Sequence, residues 1–238
     1  MKISTDSRPP TSTGNMNPCR LVIFDCDGVL VDSELIANRI LARALSKEGY
    51  DCTLFDSLQK FVGHDLRAIK EQVERELGRE MSRNFVEILQ KDTINAFKKE
   101  LKPIRGIDSA LTAIRLPKCI ASSGSREKIN LSLKLTGLNR YFKETEIFSA
   151  TDVAQGKPAP DLFLFAAEKM NAKPSDCVVI EDSRPGVKAG RAAGMSVLAF
   201  AAGNHISVKH REDLAREGAI VFSDMASLPK HLQDLSNR

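Results

Sequence analysis

Apolar residues recur in this chain as short unbroken runs, each closed by polar residues. LVIFDCD (21–27), KCIASS (118–123), EIFSATD (146–152) and CVVIEDS (177–183) share that plan. SVLAF (196–200) is a fifth run, ending in small residues ahead of Gly203, and AIVFSD (219–224) is a sixth. Runs of this length without polar alternation fit strands buried on both faces, as in a parallel sheet. Between the later runs the spacing turns helical. Ile129, Leu133 and Leu135 fall on or near one stripe of 126–136. Pro160-Asp161 opens 160–170, and Pro185-Gly186 opens 185–193 ahead of Gly194. Pro in the first helical turn is pre-set for a helix start. Strand–helix alternation predicts a doubly wound α/β core. Ligands of such sheets bind beyond the carboxyl ends of the strands, where the polar residues closing the runs would converge.

Residues 34–100 break the alternation and carry helical stripes instead. Ile36, Ile40 and Ala44, flanked by Leu41 and Leu45, make the first; Leu66, Ile69, Val73 and Leu77 the second; Phe85, Ile88, Leu89 and Phe97 the third. Gly49, Gly63 and Gly78 punctuate them. The expected organisation is a disordered leader over 1–19, a core domain from 20–33 and 101–238, and a helical insert over 34–100. Hinges are expected near 30–35 and 99–106, where Pro103 and Gly106 mark the return to the core.

Composition narrows the partners. The net charge of +4, from 35 basic and 31 acidic residues, comes without any Lys/Arg-rich run, which argues against nucleic acid. Trp is absent and Tyr occurs twice, so base-stacking surfaces are scarce. The five cysteines are odd in number and form no CxxC, so zinc-site spacing is missing. They read as reduced thiols of a cytoplasmic protein. The leader has no apolar segment of the secretory kind, and no apolar run reaches membrane-spanning length. A monomer or weak homo-oligomer without a membrane partner is expected.

The chemistry gathers at the run ends. Asp25 and Asp27 share a face if the first strand persists through them. A hydroxyl follows KCIA, at Ser122 or Ser123; Lys157 sits in QGKPAP; Glu181 and Asp182 close CVVIEDS. Any one of these is an ordinary turn residue. All of them on one edge of one sheet form a phosphoryl-transfer set. Clustered carboxylates repel unless a hard cation neutralises them, and oxygen ligands suit Mg²⁺. An aspartate serves as nucleophile in enzymes that form aspartyl-phosphates. Asp27, two residues on, is placed to protonate the leaving oxygen and later to activate water. A lysine and a hydroxyl supply charge and hydrogen bonds to the transferring group.

FDCDGVLVDSE, IASSGS, GKPAPD and VIEDSRPG together resemble the four signature motifs of the haloacid dehalogenase superfamily, in its phosphatase and β-phosphoglucomutase branch. The resemblance spans roughly residues 20–205. It implies a Rossmann-like core with an α-helical cap domain inserted after the first motif, and a Mg²⁺-dependent phosphatase acting on a small phosphorylated metabolite. It further implies Asp25 as nucleophile and Asp27 as general acid/base with its backbone carbonyl on the metal. Ser122 and Lys157 would hold the phosphate, and Asp182 with Glu181 the metal. Dehalogenases proper lack the second aspartate that is present here as Asp27. β-Phosphoglucomutases carry a histidine ten residues after that aspartate, where this chain has Ala37. SALTAIRLPKCIASSG further resembles bacterial phosphatases of the 6-phosphogluconate phosphatase kind. A sugar phosphomutase and a non-catalytic binding module are the rival expectations. In the insert, His64, Asp65 and Arg67 are the candidates for choosing the substrate. His205 could edge the site, while His210 and His231 read as surface residues.

Overall fold

In the computed structural model, residues 19–64, 66–202 and 208–237 are described. Six strands form one parallel sheet: β1 (Leu21–Phe24), β2 (Lys118–Ser122), β3 (Ile147–Ser149), β4 (Cys177–Glu181), β5 (Ser196–Phe200) and β6 (Ile220–Phe222). Their order is β3-β2-β1-β4-β5-β6. The order reverses direction at β1, so the crevice at its carboxyl end is the topological switch point of a doubly wound sheet.

Side-chain alternation along β1 explains why its run is apolar throughout. Val22 and Phe24 enter one hydrophobic layer, with Leu111, Ile129 and Leu232; Leu21 and Ile23 enter the other, with Phe163, Val187 and Leu214. The first layer is closed by α5 (Ile107–Ala113), α6 (Arg126–Thr136) and α10 (Leu228–Ser236). The second is closed by α7 (Asp161–Lys169), α8 (Arg184–Ala192) and α9 (Val208–Arg216). The strands are shorter than the sequence runs. β1 stops at Phe24, because Leu30 and Val31 both turn back to donate to the Cys26 carbonyl. Asp25 and Asp27 therefore stand on the loop after the strand rather than on the strand itself.

Between β1 and α5 lie α1 (Glu34–Lys47), α2 (Leu54–Phe61), α3 (Leu66–Leu77) and α4 (Phe85–Glu100). They bury a cluster of their own, including Leu45, Phe61, Val73 and Leu89. The helix α2 carries Leu54, Leu58 and Phe61 at helical spacing, a stripe the sequence reading passed over. It is set by a capping box in which Thr53 and Asp56 satisfy each other's backbone N–H groups. Two residues assigned to stripes are exposed instead: Ile88 on α4 and Leu135 on α6. The segments joining these helices to the sheet run side by side. Val31 pairs with Pro103, the Asp32 N–H donates to the Lys102 carbonyl at 2.9 Å, and that of Ile104 donates to Leu30 at 3.0 Å. The α2–α3 turn reaches back to the sheet end. Gly63 has φ +80°, and a Cβ there would meet the Ser183 side chain 2.5 Å away. Among the described residues no helix is long and apolar enough to cross a membrane. Of the leader only Cys19 lies within the described residues.

Candidate active site

A cavity of about 530 Å³ lies between the carboxyl ends of β1, β2 and β4 and the helices α1, α3 and α4. Asp25, Asp27, Ser122, Lys157, Glu181 and Asp182 all line it, drawn from strand ends and loops far apart in sequence. Asp25 is seated by its own N–H, which donates to the Ile180 carbonyl at 2.9 Å and carries the β1–β4 register one residue past the strand.

Lys157 is the hub. Its Nζ donates to Asp25 Oδ1 at 2.6 Å and to Glu181 Oε1 at 2.7 Å, with its side chain 1% exposed. The ammonium also stands 4.9 Å from the centre of the Phe163 ring. Burial works against its charge, but Asp25 and Glu181 more than offset that and hold the lysine above its ordinary value. Glu181 spends its other oxygen on its own loop: Oε2 accepts the N–H of Asp182 at 2.8 Å, that of Ser183 at 2.8 Å and the Ser183 hydroxyl at 2.9 Å.

One lysine does not balance three carboxylates. Oxygens of Asp25, Glu181 and Asp182 lie within 4.8 Å of one another, all buried. Burial pushes the Asp25 carboxyl well above the usual carboxylate range; Lys157 pulls it back, while Glu181, Asp182 and Asp27 add to the rise. Asp182 is likewise pushed well up, by burial and then by Glu181. A buried all-oxygen cluster with surplus negative charge fits a small hard cation such as Mg²⁺. Gly28, whose φ is +76°, makes room for the Asp182 carboxylate, which a Cβ there would overlap. Gly28→Ala is expected to cost about 1–3 kcal/mol in backbone strain and to weaken Mg²⁺ binding at least about tenfold, a loss of about 1.4 kcal/mol. Thermal unfolding and titration calorimetry with MgCl₂ check the two effects separately.

Asp27 is held differently. Its Oδ2 accepts from Lys128 Nζ at 2.8 Å and its Oδ1 from the Ser33 hydroxyl at 2.6 Å. Burial raises its carboxyl, yet Lys128 and Ser33 outweigh burial and bring it below the usual range. Lys128 also sits 5.5 Å from the centre of the Phe97 ring on α4, so the helical insert rests on the group that orients Asp27. Sequence reasoning missed Lys128 and Ser33. The available signal was Ser125, which caps α6 and aims the first turn of that helix at the strand ends.

Of the remaining candidates, Ser122 is buried as the last residue of β2, and its hydroxyl accepts the Gly124 N–H at 3.2 Å; Ser123 beside it also lines the cavity. His64 lines the cavity from the α2–α3 turn, while Arg67 is exposed and does not line it. Asp65 and His205 lie outside the described residues. Two histidine readings need correction. His210 is half-buried, its Nε2 2.7 Å from the Asp182 carbonyl oxygen, and His231 packs 5.2 Å from the Phe222 ring centre. Neither is a free surface residue, because α9 and α10 fold their inner faces onto the sheet.

Comparison with known proteins agrees with this fold. The family described as haloacid dehalogenase-like hydrolases matches residues 22–200. The 6-phosphogluconate phosphatase of Escherichia coli K12 is 30% identical over 216 residues, covering 90% of this chain and 95% of that protein. Hexitol phosphatase A of the same strain is 30% identical over 186 residues, covering 76% and 82%. A haloacid dehalogenase-like protein from Agrobacterium tumefaciens C58 superposes with a TM-score of 0.80 at 35% identity, covering 92% of this chain and 99% of that one. This chain belongs to the haloacid dehalogenase-like hydrolases.

Proposed function

We propose that the chain is a Mg²⁺-dependent phosphatase that hydrolyses a small phosphorylated metabolite, a sugar phosphate, through an aspartyl-phosphate on Asp25. The observation that carries this reading is the buried meeting of Asp25, Lys157, Glu181 and Asp182 at the closed end of a cavity large enough for a metabolite. The relatives named as phosphatases support it.

Asp25 and Asp182, with the Asp27 backbone carbonyl, would hold Mg²⁺, whose charge offsets the repulsion between Asp25 and a phosphoryl dianion. Glu181 contributes mainly as a brace, since both of its oxygens already accept hydrogen bonds from the protein. Lys157 faces the phosphoryl oxygens and favours the ionised form of Asp25 against burial, and Ser122 adds a hydroxyl at the same end. Asp25 attacks phosphorus as the ester oxygen leaves with a proton from Asp27. Water then attacks the aspartyl-phosphate, giving its proton to Asp27. The ionised state that Lys128 and Ser33 favour suits that second half. The first half needs Asp27 protonated, and a dianion arriving near Lys128 offsets the lysine's hold on it.

Residues 34–100 act in this reading as a cap. Helices α1, α3 and α4 close over the strand ends, and the paired segments at Val31 and Pro103 are its hinge. His64 in the α2–α3 turn is the described member of the proposed specificity set that reaches the cavity. The five cysteines are free and buried, which supports a cytoplasmic protein. Ala37 lines the cavity with only a methyl group where the mutase reading calls for an imidazole.

The test is phosphate release by purified protein from a panel of phosphorylated metabolites. Activity is expected with MgCl₂, to be lost in EDTA while the protein stays folded. Ca²⁺ should inhibit, because it takes more ligands in looser geometry than in-line transfer allows. Full activity in EDTA-treated, metal-free buffer would defeat the reading.

A further inference from the structure

The charges of the cavity wall bear on the leaving group. Six carboxylates line the cavity: Asp25, Asp27, Glu181 and Asp182 at the strand ends, Glu34 in the first turn of α1, and Glu127 at the rim on α6. Two lysines stand against them, and both are engaged, Lys157 by Asp25 and Glu181 at 2.6 and 2.7 Å and Lys128 by Asp27 at 2.8 Å. Among the described residues no arginine lines the cavity. A divalent cation and a phosphoryl dianion cancel each other, so the surplus of negative charge persists in a loaded site.

Glu34 belongs to the wall beyond the phosphoryl end, and it is fixed. Asn38 Nδ2 donates to Glu34 Oε2 at 2.9 Å and to the Glu34 backbone carbonyl at 2.9 Å. Ser57 Oγ in turn donates to Asn38 Oδ1 at 2.7 Å, so α2 braces the amide that braces the carboxylate. Glu34 and Asn38 are both buried, 9% and 5% exposed. A buried carboxylate held in place is a strong acceptor for a ligand hydroxyl and a poor neighbour for a ligand anion. Gln90 and Thr93, three residues apart on one face of α4, add an amide and a hydroxyl to the cavity. Neither side chain is engaged by another side chain among the described residues. Leu41, Phe61 and Leu89 add hydrocarbon to this wall, and His64 adds an imidazole.

We infer that the substrate is a phosphomonoester whose leaving group is uncharged and hydroxyl-bearing, a polyol or neutral sugar, and that the cavity selects against a second acidic group on the same molecule. This rests on the phosphatase reading above and names the substrate class of that site. It sets the chain apart from its relative named a 6-phosphogluconate phosphatase, whose named substrate carries a carboxylate as well as the phosphate. Discrimination by like charge is negative selection, which a pocket of neutral polar groups could not supply.

The matched probes are sorbitol 6-phosphate and 6-phosphogluconate, which have the same carbon chain and differ in a terminal hydroxymethyl against a carboxylate. Two measurements are made: kcat/KM of the wild type for both, and calorimetric Kd of the Asp25→Asn protein for both with MgCl₂. The neutral-ended ester is expected to be favoured at least about tenfold in each, about 1.4 kcal/mol. Glu34→Gln, which keeps an acceptor for Asn38, should narrow that preference several-fold. Glu127→Gln, at the exposed rim, should narrow it less, and it provides the charge test should Glu34→Gln not fold. Equal or tighter binding of 6-phosphogluconate overturns the inference, as does failure of the Asp25→Asn protein to bind either ester. If the wild type releases phosphate from no ester of the panel while the Asp25→Asn protein still prefers the sorbitol ester, the phosphatase reading falls and the charge selection stands.

Discussion

Asp25→Asn is expected to abolish phosphate release while leaving the protein folded and, without metal, no less stable than the wild type. The loss of rate follows from the chemistry. The amide is nearly isosteric, but it is a poor nucleophile and a poor metal ligand. Removing a catalytic nucleophile elsewhere costs on the order of 10⁶ in kcat, so a fall of at least about 10⁴ is expected here. The stability claim is less obvious, because Asp25 forms a 2.6 Å ion pair with Lys157, and breaking a buried pair is normally destabilising. Here the lysine keeps Glu181 at 2.7 Å, and the new amide still offers an oxygen to Nζ. The carboxylate that is removed is one that burial, Glu181, Asp182 and Asp27 all disfavour in its charged form. Relief of that repulsion offsets the lost pair. Unfolding midpoints should therefore match or exceed wild type in EDTA, and the rise on adding MgCl₂ should be smaller than in wild type, since one ligand is gone. A folded Asp25→Asn protein that releases phosphate at the wild-type rate would remove Asp25 from the mechanism.

The sequence carried the sheet well and parts of the site poorly, for physical reasons. Strands buried on both faces must be apolar throughout, so β1, β2, β4 and β5 stood out as runs. Their ends were read too long because the polar residues that close them leave the ladder for loops. The helix α2 was passed over because its stripe of Leu54, Leu58 and Phe61 spans only two turns and is only half buried. Its buried residues are Ser57 and Phe61, while Leu54 and Phe55 face outward. Asp25, Lys157, Glu181 and Asp182 were legible because strand-end loops in a doubly wound sheet must converge. Lys128 was not, because its meaning depends on meeting Asp27, 101 residues away in sequence. His210 depends in the same way on the approach of α9 to the Asp182 carbonyl. Ser125 marks where α6 begins, but no local pattern encodes which residue Lys128 or His210 will meet.

Lys157→Met tests the same cluster from the opposite side and should have the opposite sign. Methionine preserves length and apolar bulk, including contact with the Phe163 ring, but removes the charge 4.9 Å from it. Asp25, Glu181 and Asp182 are then buried together without a counter-charge. Removing one partner of a buried ion pair costs about 3–5 kcal/mol, which for a chain of this size is a fall of the unfolding midpoint on the order of 10 °C. Two dependences identify the cause. Mg²⁺ should restore part of the loss, because it supplies the missing positive charge, whereas a packing defect would not respond. The pH dependence follows from the raised carboxyls of Asp25 and Asp182. An acid whose folded-state value lies above its unfolded one destabilises the fold as pH rises through that interval, so stability is recovered as pH falls. Lowering the pH from 8 towards the ordinary carboxylate range, near pH 4, should narrow the gap between Lys157→Met and wild type. In wild type the lysine is itself held above its ordinary value, so its contribution is fully present throughout that range and is lost only in strong alkali. The measurement is a series of metal-free thermal unfolding curves for both proteins across that range, repeated with MgCl₂. A deficit that stays constant with pH and is indifferent to Mg²⁺ would mean that the lysine acts by packing alone and that the carboxylates beside it are not a charge-strained cation site.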